Sequence, residues 1–297
     1  MLAVLLKLSS VALFAIMNAG VKYIGGTIPV GEIIAVRSAI GVAAIALIAW
    51  HLRKPQLLRT SNWQSHALRS SVGALAMFTW FLSLTRAPMA EATAVVYAGP
   101  IFGTLLAALI LRERIRGYRF LAITLGFGGV LVMTGSHLAH ADAMSAGLVF
   151  ALLCAFFGAL GMIFLRQMSR TEHALTTTFY FSVTSLLGAA VTAAWGWPLP
   201  SARDGGFLVL IAVLGTGAQF LMTASFRYAE ASIVAPLEYS GIVMATLLGY
   251  VFFREMPDVS IWLGVPLVIG AGLLIIWSEY RPSARSPREA RVRRTSP

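Results

Sequence analysis

Apolar residues run along this chain in ten long blocks, at positions 2–20, 32–50, 67–84, 92–111, 120–136, 145–165, 174–195, 206–226, 232–253 and 261–278. About 20 consecutive apolar residues carry a helix across the hydrocarbon core of a bilayer. Each block therefore predicts a membrane-spanning helix, and the connections between them are too short to hold an extramembrane domain. The first block has no basic leader and no clear small-x-small cleavage site, so it reads as an uncleaved first span rather than a signal peptide. The stretch 281–297 is rich in Arg, Ser and Pro and predicts a disordered basic tail.

Composition strengthens this picture. Hydrophobic residues make up 58% of the chain and charged residues 12%, with a mean hydropathy of +0.79; soluble domains carry about 25% charged residues. A water-soluble fold has nowhere to hide so much apolar surface. The net charge of +11 raises the question of nucleic acid, but the basic residues sit in short segments between apolar blocks and form no basic face. Their distribution gives orientation instead. With the N-terminus in the cytoplasm, inside segments hold 17 Lys and Arg and outside loops hold four (Lys22, Arg86, Arg203 and Arg254). That bias puts both termini on the cytoplasmic side, as expected for a bacterial inner-membrane protein. The one cysteine, Cys154, lies within a block and allows no intrachain disulfide.

Sliding the chain against itself by 142 positions aligns 73–131 with 215–273 without gaps. Leu and Ala matches carry little weight in so apolar a chain. More telling are Gly73/Gly215, Tyr97/Tyr239, Gly99/Gly241 and the pair Arg112-Glu113 with Arg254-Glu255, each at the same point of the same span. The chain thus reads as two repeats, 1–140 and 141–280, followed by the tail. Five spans per repeat is an odd number, so the copies are inverted, and the charges agree. Arg114, Arg116 and Arg119 follow the fourth span, while Met256, Asp258 and Ile261 replace them after the ninth. The fold class is therefore an all-α integral membrane protein of ten helices in two inverted five-helix repeats, the usual construction of secondary transporters.

The fourth span, with Ala87, Glu91-Ala92, Ala94-Val95 and Tyr97-Ala98-Gly99-Pro100, closes on Arg112-Glu113, and 229–255 repeats the pattern with Leu237-Glu238. These residues, with Arg37 early in the second span, resemble the EamA repeat of the drug/metabolite transporter superfamily across essentially the whole chain. Among its members the chain is most similar to bacterial amino-acid exporters of the YddG type. The resemblance implies that spans one to four and six to nine surround a central cavity, with five and ten packed outside, and that amino acids and similar metabolites are the substrates. Tyr239 departs from the pattern by standing where the second repeat usually has proline.

Proline frees a backbone carbonyl, which is tolerated in a span where neighbours or a cavity satisfy it. Gly99-Pro100 and Pro236 with Gly241 interrupt the fourth and ninth spans at matched places, which points to a kink or gate at a transport site; plain helix packing by small residues is the alternative. Asn18, Gln219 and Glu238 are polar groups inside spans, where burial is costly without a cavity or a partner. Glu238 reads as the only acid at depth, a site for a proton or a substrate ammonium, or else an interfacial carboxylate met by water or Arg37. Arg37 is a candidate contact for a substrate carboxylate or a structural residue. Phe78, Trp80, Tyr97, Phe157 and Tyr239 are candidate aromatic walls, against lipid-facing or interfacial roles. His137, His140 and Asp142 have metal-like spacing but no further ligand nearby, so no metal or cofactor is expected. Without a Walker motif, a nucleophile elbow or paired carboxylates, no enzyme is expected either. The expected function is export of amino acids and related metabolites by alternating access, with the bilayer and a small-molecule substrate as partners. A lipophilic-cation exporter, an uptake permease, and a channel or scaffold remain as alternatives.

Overall fold

The computed structural model describes residues 2–60, 62–110, 117–138, 143–168, 172–228 and 235–280. Arg112-Glu113, His140, Asp142 and the tail 281–297 lie outside the described residues, as does the side chain of His137. Eleven α-helices follow one another among those described: α1 Leu2–Ile24, α2 Val30–His51, α3 Trp63–Leu84, α4 Met89–Val96, α5 Gly99–Ile110, α6 Gly117–Leu138, α7 Ala143–Met168, α8 Ala174–Val191, α9 Ala202–Tyr228, α10 Ser240–Phe253 and α11 Val259–Tyr280. Short 3₁₀ turns occupy Pro55–Leu58, Thr192–Trp195 and Ala235–Tyr239, and no strand is present among the described residues. Seven segments are long and apolar enough to cross a bilayer, α4 and α5 together supplying one of them. Three shorter apolar helices, Phe120–Met133, Leu237–Phe253 and Val259–Leu274, stand where the sequence places its fifth, ninth and tenth spans.

Local chemistry sets the ends of these helices. Pro29 and Pro88 sit at the N-caps of α2 and α4, where proline bars the helix from winding further back. Asn62 caps α3 by accepting from the Ser65 N–H at 3.4 Å, and the His173 side chain caps α8 by accepting from the Leu175 N–H at 3.2 Å. The fourth span breaks at Tyr97 and Ala98. Pro100, second residue of α5, falls in the first turn, where a missing N–H leaves no helical bond unmade. The ninth span begins as the 3₁₀ turn Ala235–Tyr239, and Gly241 already belongs to the first turn of α10. Both interruptions thus lie slightly ahead of the glycines that announced them.

Two large apolar cores form, beside a small cluster of Leu106, Ala159 and Ile163. One gathers Met17, Val21, Ile33, Ile34, Met77, Phe81, Ala189 and Ile211 from α1, α2, α3, α8 and α9. The other gathers Ala92, Val95, Ile101, Met133, Leu148, Ile242 and Val268 from α4, α5, α6, α7, α10 and α11. Helix α1 packs on α9, α3 on α7, α2 on α8 and α6 on α11. Gly129 and Gly264 bring α6 and α11 backbone to backbone: a Cβ on either would stand 2.9 or 2.7 Å from the carbonyl oxygen of the other. Large apolar side chains such as Phe120, Leu131, Phe220 and Leu263 are exposed on the outside of the bundle, as a surrounding bilayer requires.

Candidate functional site

Between the two cores lies a cavity of about 320 Å³ whose walls come from α1, α2, α3, α4, α7, α8, α9, α10 and the two interrupted segments. It brings together seven residues singled out from the sequence: Asn18, Arg37, Trp80, Tyr97, Gln219, Glu238 and Gly241. Phe78 packs instead against the first core. Phe157 stacks edge-on with Phe156, their ring centres 5.5 Å apart. Gly99 and Pro100 open α5 outside the lining, and Pro236 lies in the 3₁₀ turn one residue before the Leu237-Glu238 pair. A second hollow, about 390 Å³, opens at the surface beside Trp50; its lining holds one ionisable side chain, Arg53, and none of the residues above.

Polar groups on the walls are held individually. The Trp80 Nε1–H donates to Asn18 Oδ1 at 3.2 Å, joining α3 to α1. The Tyr97 hydroxyl donates to the main-chain carbonyl of Glu238 at 2.6 Å, so a side chain from one interrupted span pins the unwound turn of the other. Gly241 makes that possible, because a Cβ there would collide with the Tyr97 hydroxyl. The Tyr97 and Tyr239 rings meet edge-on, 5.3 Å apart with planes at 74°. Tyr239 is absent from the lining and turns its hydroxyl toward Gly272 of α11.

The charges differ from the sequence reading in two respects. Glu238 is not the only acid at depth: it is half exposed, whereas Glu91 and Glu32 are 3% and 5% exposed. Each lies in the first turn of its helix, where the helix dipole favours a carboxylate, which a scan for acids in mid-span overlooks. Nor does Arg37 pair with Glu238. Lys7, buried on α1, supplies the counter-charge, its Nζ 3.3 Å from Glu238 Oε1. Lys7 stands one turn into its span and Glu238 at the start of its own, so their shared depth was legible in the sequence. Arg37 instead donates from Nη1 to Met77 Sδ and lies over the Phe81 ring, 6.0 Å from its centre. Its Nε is buried with no hydrogen-bond partner among the described residues.

Two polar clusters stand outside the cavity, at the two ends of the bundle. At one end Lys22 Nζ lies 2.7 Å from Glu255 Oε1 and donates to the Ala87 carbonyl at 2.6 Å. Glu255 Oε2 accepts the Met89 N–H at 2.8 Å, capping α4 from the other half of the chain. Near the opposite end His66 Nε2 lies 3.2 Å from Glu172 Oε2, and the Thr60 hydroxyl donates to Glu172 Oε1 at 2.8 Å. No group of three or more metal-ligating side chains occurs among the described residues.

A central cavity with isolated polar groups, unwound segments on two facing spans and polar clusters at either end is built to hold and pass a small solute. Comparison with known proteins agrees. The model of the EamA-like transporter family matches residues 1–135 and again 145–277. The chain is 31% identical over 277 residues to the pseudopaline exporter of Pseudomonas aeruginosa, covering 92% of this chain and 93% of that one. It is 30% identical over 222 residues to the S-adenosylmethionine uptake transporter of Rickettsia prowazekii, covering 75% and 74%. A solved crystal structure superposes with a TM-score of 0.61 at 20% identity over 92% of this chain, a likeness of fold. With the family model matched twice over nearly its whole length, the chain belongs to the EamA-like transporter family and is a membrane transporter.

Proposed function

We propose that this transporter exports amino acids and related carboxylate-bearing metabolites across the bacterial inner membrane by alternating access, with both termini in the cytoplasm. The observation that carries the reading is the charge balance of the cavity. Its lining holds one acid, Glu238, and that acid already has Lys7 as its counter-ion. The guanidinium of Arg37 has no carboxylate partner among the described residues. An unpaired guanidinium in a low-dielectric site is a receptor for a carboxylate. Met17, Met77, Trp80, Phe81 and Phe181 around it suit an apolar or aromatic side chain. The same balance disfavours a lipophilic cation, which would meet net positive charge. Export rather than uptake is supported by the exporter among the relatives, matched over most of its length.

The test uses full-length protein in liposomes loaded with the twenty amino acids and with the amines left when their carboxyl groups are removed. Amino acids should leave and the amines stay. Arg37→Gln removes a charge-assisted contact worth about 1.5–3 kcal/mol and is expected to slow efflux roughly 10- to 100-fold. Equal efflux of amines and amino acids, or an R37Q variant at full speed, would overturn the proposal.

A further inference from the structure

A second, partly buried arginine takes no part in the cavity lining. Arg69 lies in the second turn of α3, and its Nε and Nη1 are shut off from solvent with no hydrogen-bond partner among the described residues. The acid on the neighbouring stretch, Glu172, is engaged by His66 at 3.2 Å and by Thr60 at 2.8 Å. What the Arg69 guanidinium does meet is the Phe181 ring, 5.0 Å from its centre. Phe181, on α8, also lines the cavity. One aromatic ring therefore separates Arg69 from the space in which Arg37 waits.

Helix α3 builds the route between the two cations. Gly73 follows Arg69 by one turn, and the Phe181 ring lies over it; a Cβ at 73 would stand 3.0 Å from the ring edge. Met77 follows by another turn and accepts from Arg37. Residues four apart share a helix face, so Arg69, Gly73 and Met77 form one stripe running from the end of the bundle that carries His66 to Arg37. A guanidinium stays charged at any accessible pH. Near the start of a span a guanidinium usually reaches water or an acid; one whose Nε and Nη1 are shut off from both is costly, and such a charge is retained where it serves passage or binding.

We propose that Arg69 is a second binding position for the carboxylate of the transported metabolite, partitioned from Arg37 by the Phe181 ring. The carboxylate docks on Arg69 from the His66 end, and the ring, resting on a glycine that offers no side chain to trap it, swings aside to let it reach Arg37. This rests on the carboxylate-export reading above and extends it by an entry site. Arg69 is thereby a capture residue that sets the rate of loading, while Arg37 sets affinity in the cavity.

The experiment uses full-length protein with L-phenylalanine as the probe, read two ways: equilibrium binding to purified protein, and efflux from liposomes at a concentration well below half-saturation. Arg69→Gln should lower efflux about tenfold while shifting the binding constant less than twofold, and Arg69→Lys, which keeps the charge, should recover most of the rate. R37Q should weaken both. An R69Q variant that transports at the unaltered rate overturns the proposal. So does one that loses binding, efflux and thermal stability together, because that is the signature of a structural arginine. If R37Q weakens binding and R69Q does nothing, the entry site falls and the carboxylate reading stands. If the unaltered protein neither binds nor releases L-phenylalanine or any other amino acid, both fall.

Discussion

The two halves of the chain place different side chains at matched positions. Gly73 of α3 and Gly215 of α9 align at the 142-residue offset, and each leaves room for a side chain from a facing helix. Over Gly73 lies the Phe181 ring from α8; against Gly215 lie the Nε of Arg37 from α2 and the Met17 sulfur. Arg37 and Phe181 are themselves 144 residues apart, so the contacts correspond as two inverted repeats would make them. One half fills its notch with a cation, the other with an aromatic ring. A pseudo-symmetric frame fixes where a side chain enters the cavity, and the identity of that side chain decides what the cavity does. On this view the carboxylate receptor belongs to one half and the partition to the other.

Filling the notches breaks the comparison most sharply. Gly215→Ala would set a methyl 2.9 Å from Arg37 Nε and 2.7 Å from Met17 Sδ, an overpacking that costs about 1–3 kcal/mol and moves the guanidinium off its station. Efflux is expected to fall at least roughly tenfold. Gly73→Ala meets a ring edge at 3.0 Å and touches Arg69 Nη1 at 4.0 Å, and a ring can tilt, so a loss of about two- to threefold is expected. Side-by-side efflux measurements decide it. Equal losses would mean that the two notches are equivalent and that the charge at one of them is incidental.

The seam between the halves gives the next effect. Glu255 holds Lys22 and the Met89 N–H at once, both from the other half of the chain. Glu255→Gln leaves the ammonium without its counter-charge at a position where both side chains are mostly buried, 14% and 18% exposed. A loss of about 1–3 kcal/mol is expected, read as a lower melting temperature. Cys154, the single cysteine, lines the cavity and reports access. A membrane-impermeant maleimide applied from the Lys22 side should label it about threefold faster in E255Q, following the shift in population between open and closed ends. Unchanged labelling from both sides would show that this pair does not close the end.

Much of this was legible in the sequence, because the strongest signals were local. The apolar blocks and the repeated Tyr-x-Gly each rest on residues close in the chain, and the bilayer favours helix for such blocks. Asn18, Trp80, Tyr97, Gln219 and Glu238 were singled out because a polar or aromatic group in mid-span draws notice, and all five line the cavity. What escaped were pairings across the fold. Glu238 meets Lys7 rather than Arg37, a choice made by how α1 lies against the unwound turn of the ninth span. Glu91 and Glu32 escaped because a carboxylate in a first turn reads as interfacial until burial by neighbouring helices is known. The breaks came out at Tyr97–Ala98 and at Ala235–Tyr239, just ahead of Gly99 and Gly241, which belong to the helices that follow.

The matched tyrosines give the cleanest contrast. Tyr97 and Tyr239 stand at the same point of the repeat, 142 residues apart. In the structure the Tyr97 hydroxyl donates to the Glu238 carbonyl at 2.6 Å and faces the cavity, while the Tyr239 hydroxyl rests against Gly272 of α11, away from it. Tyr97→Phe removes one hydrogen bond, with a net worth of about 0.5–1.5 kcal/mol, between the two interrupted spans and leaves the edge-on contact with Tyr239 in place. It should free the turn that carries Glu238 and lower efflux roughly two- to tenfold. Tyr239→Phe keeps the ring, the edge-on contact and the packing against α11, and its efflux should match the unaltered protein. Both variants keep their aromatic bulk, so a difference between them reports the hydroxyl alone. Should Y239F prove the more damaging, the unwound turn is governed from α11 rather than from the fourth span, and the division of labour between the halves runs the other way.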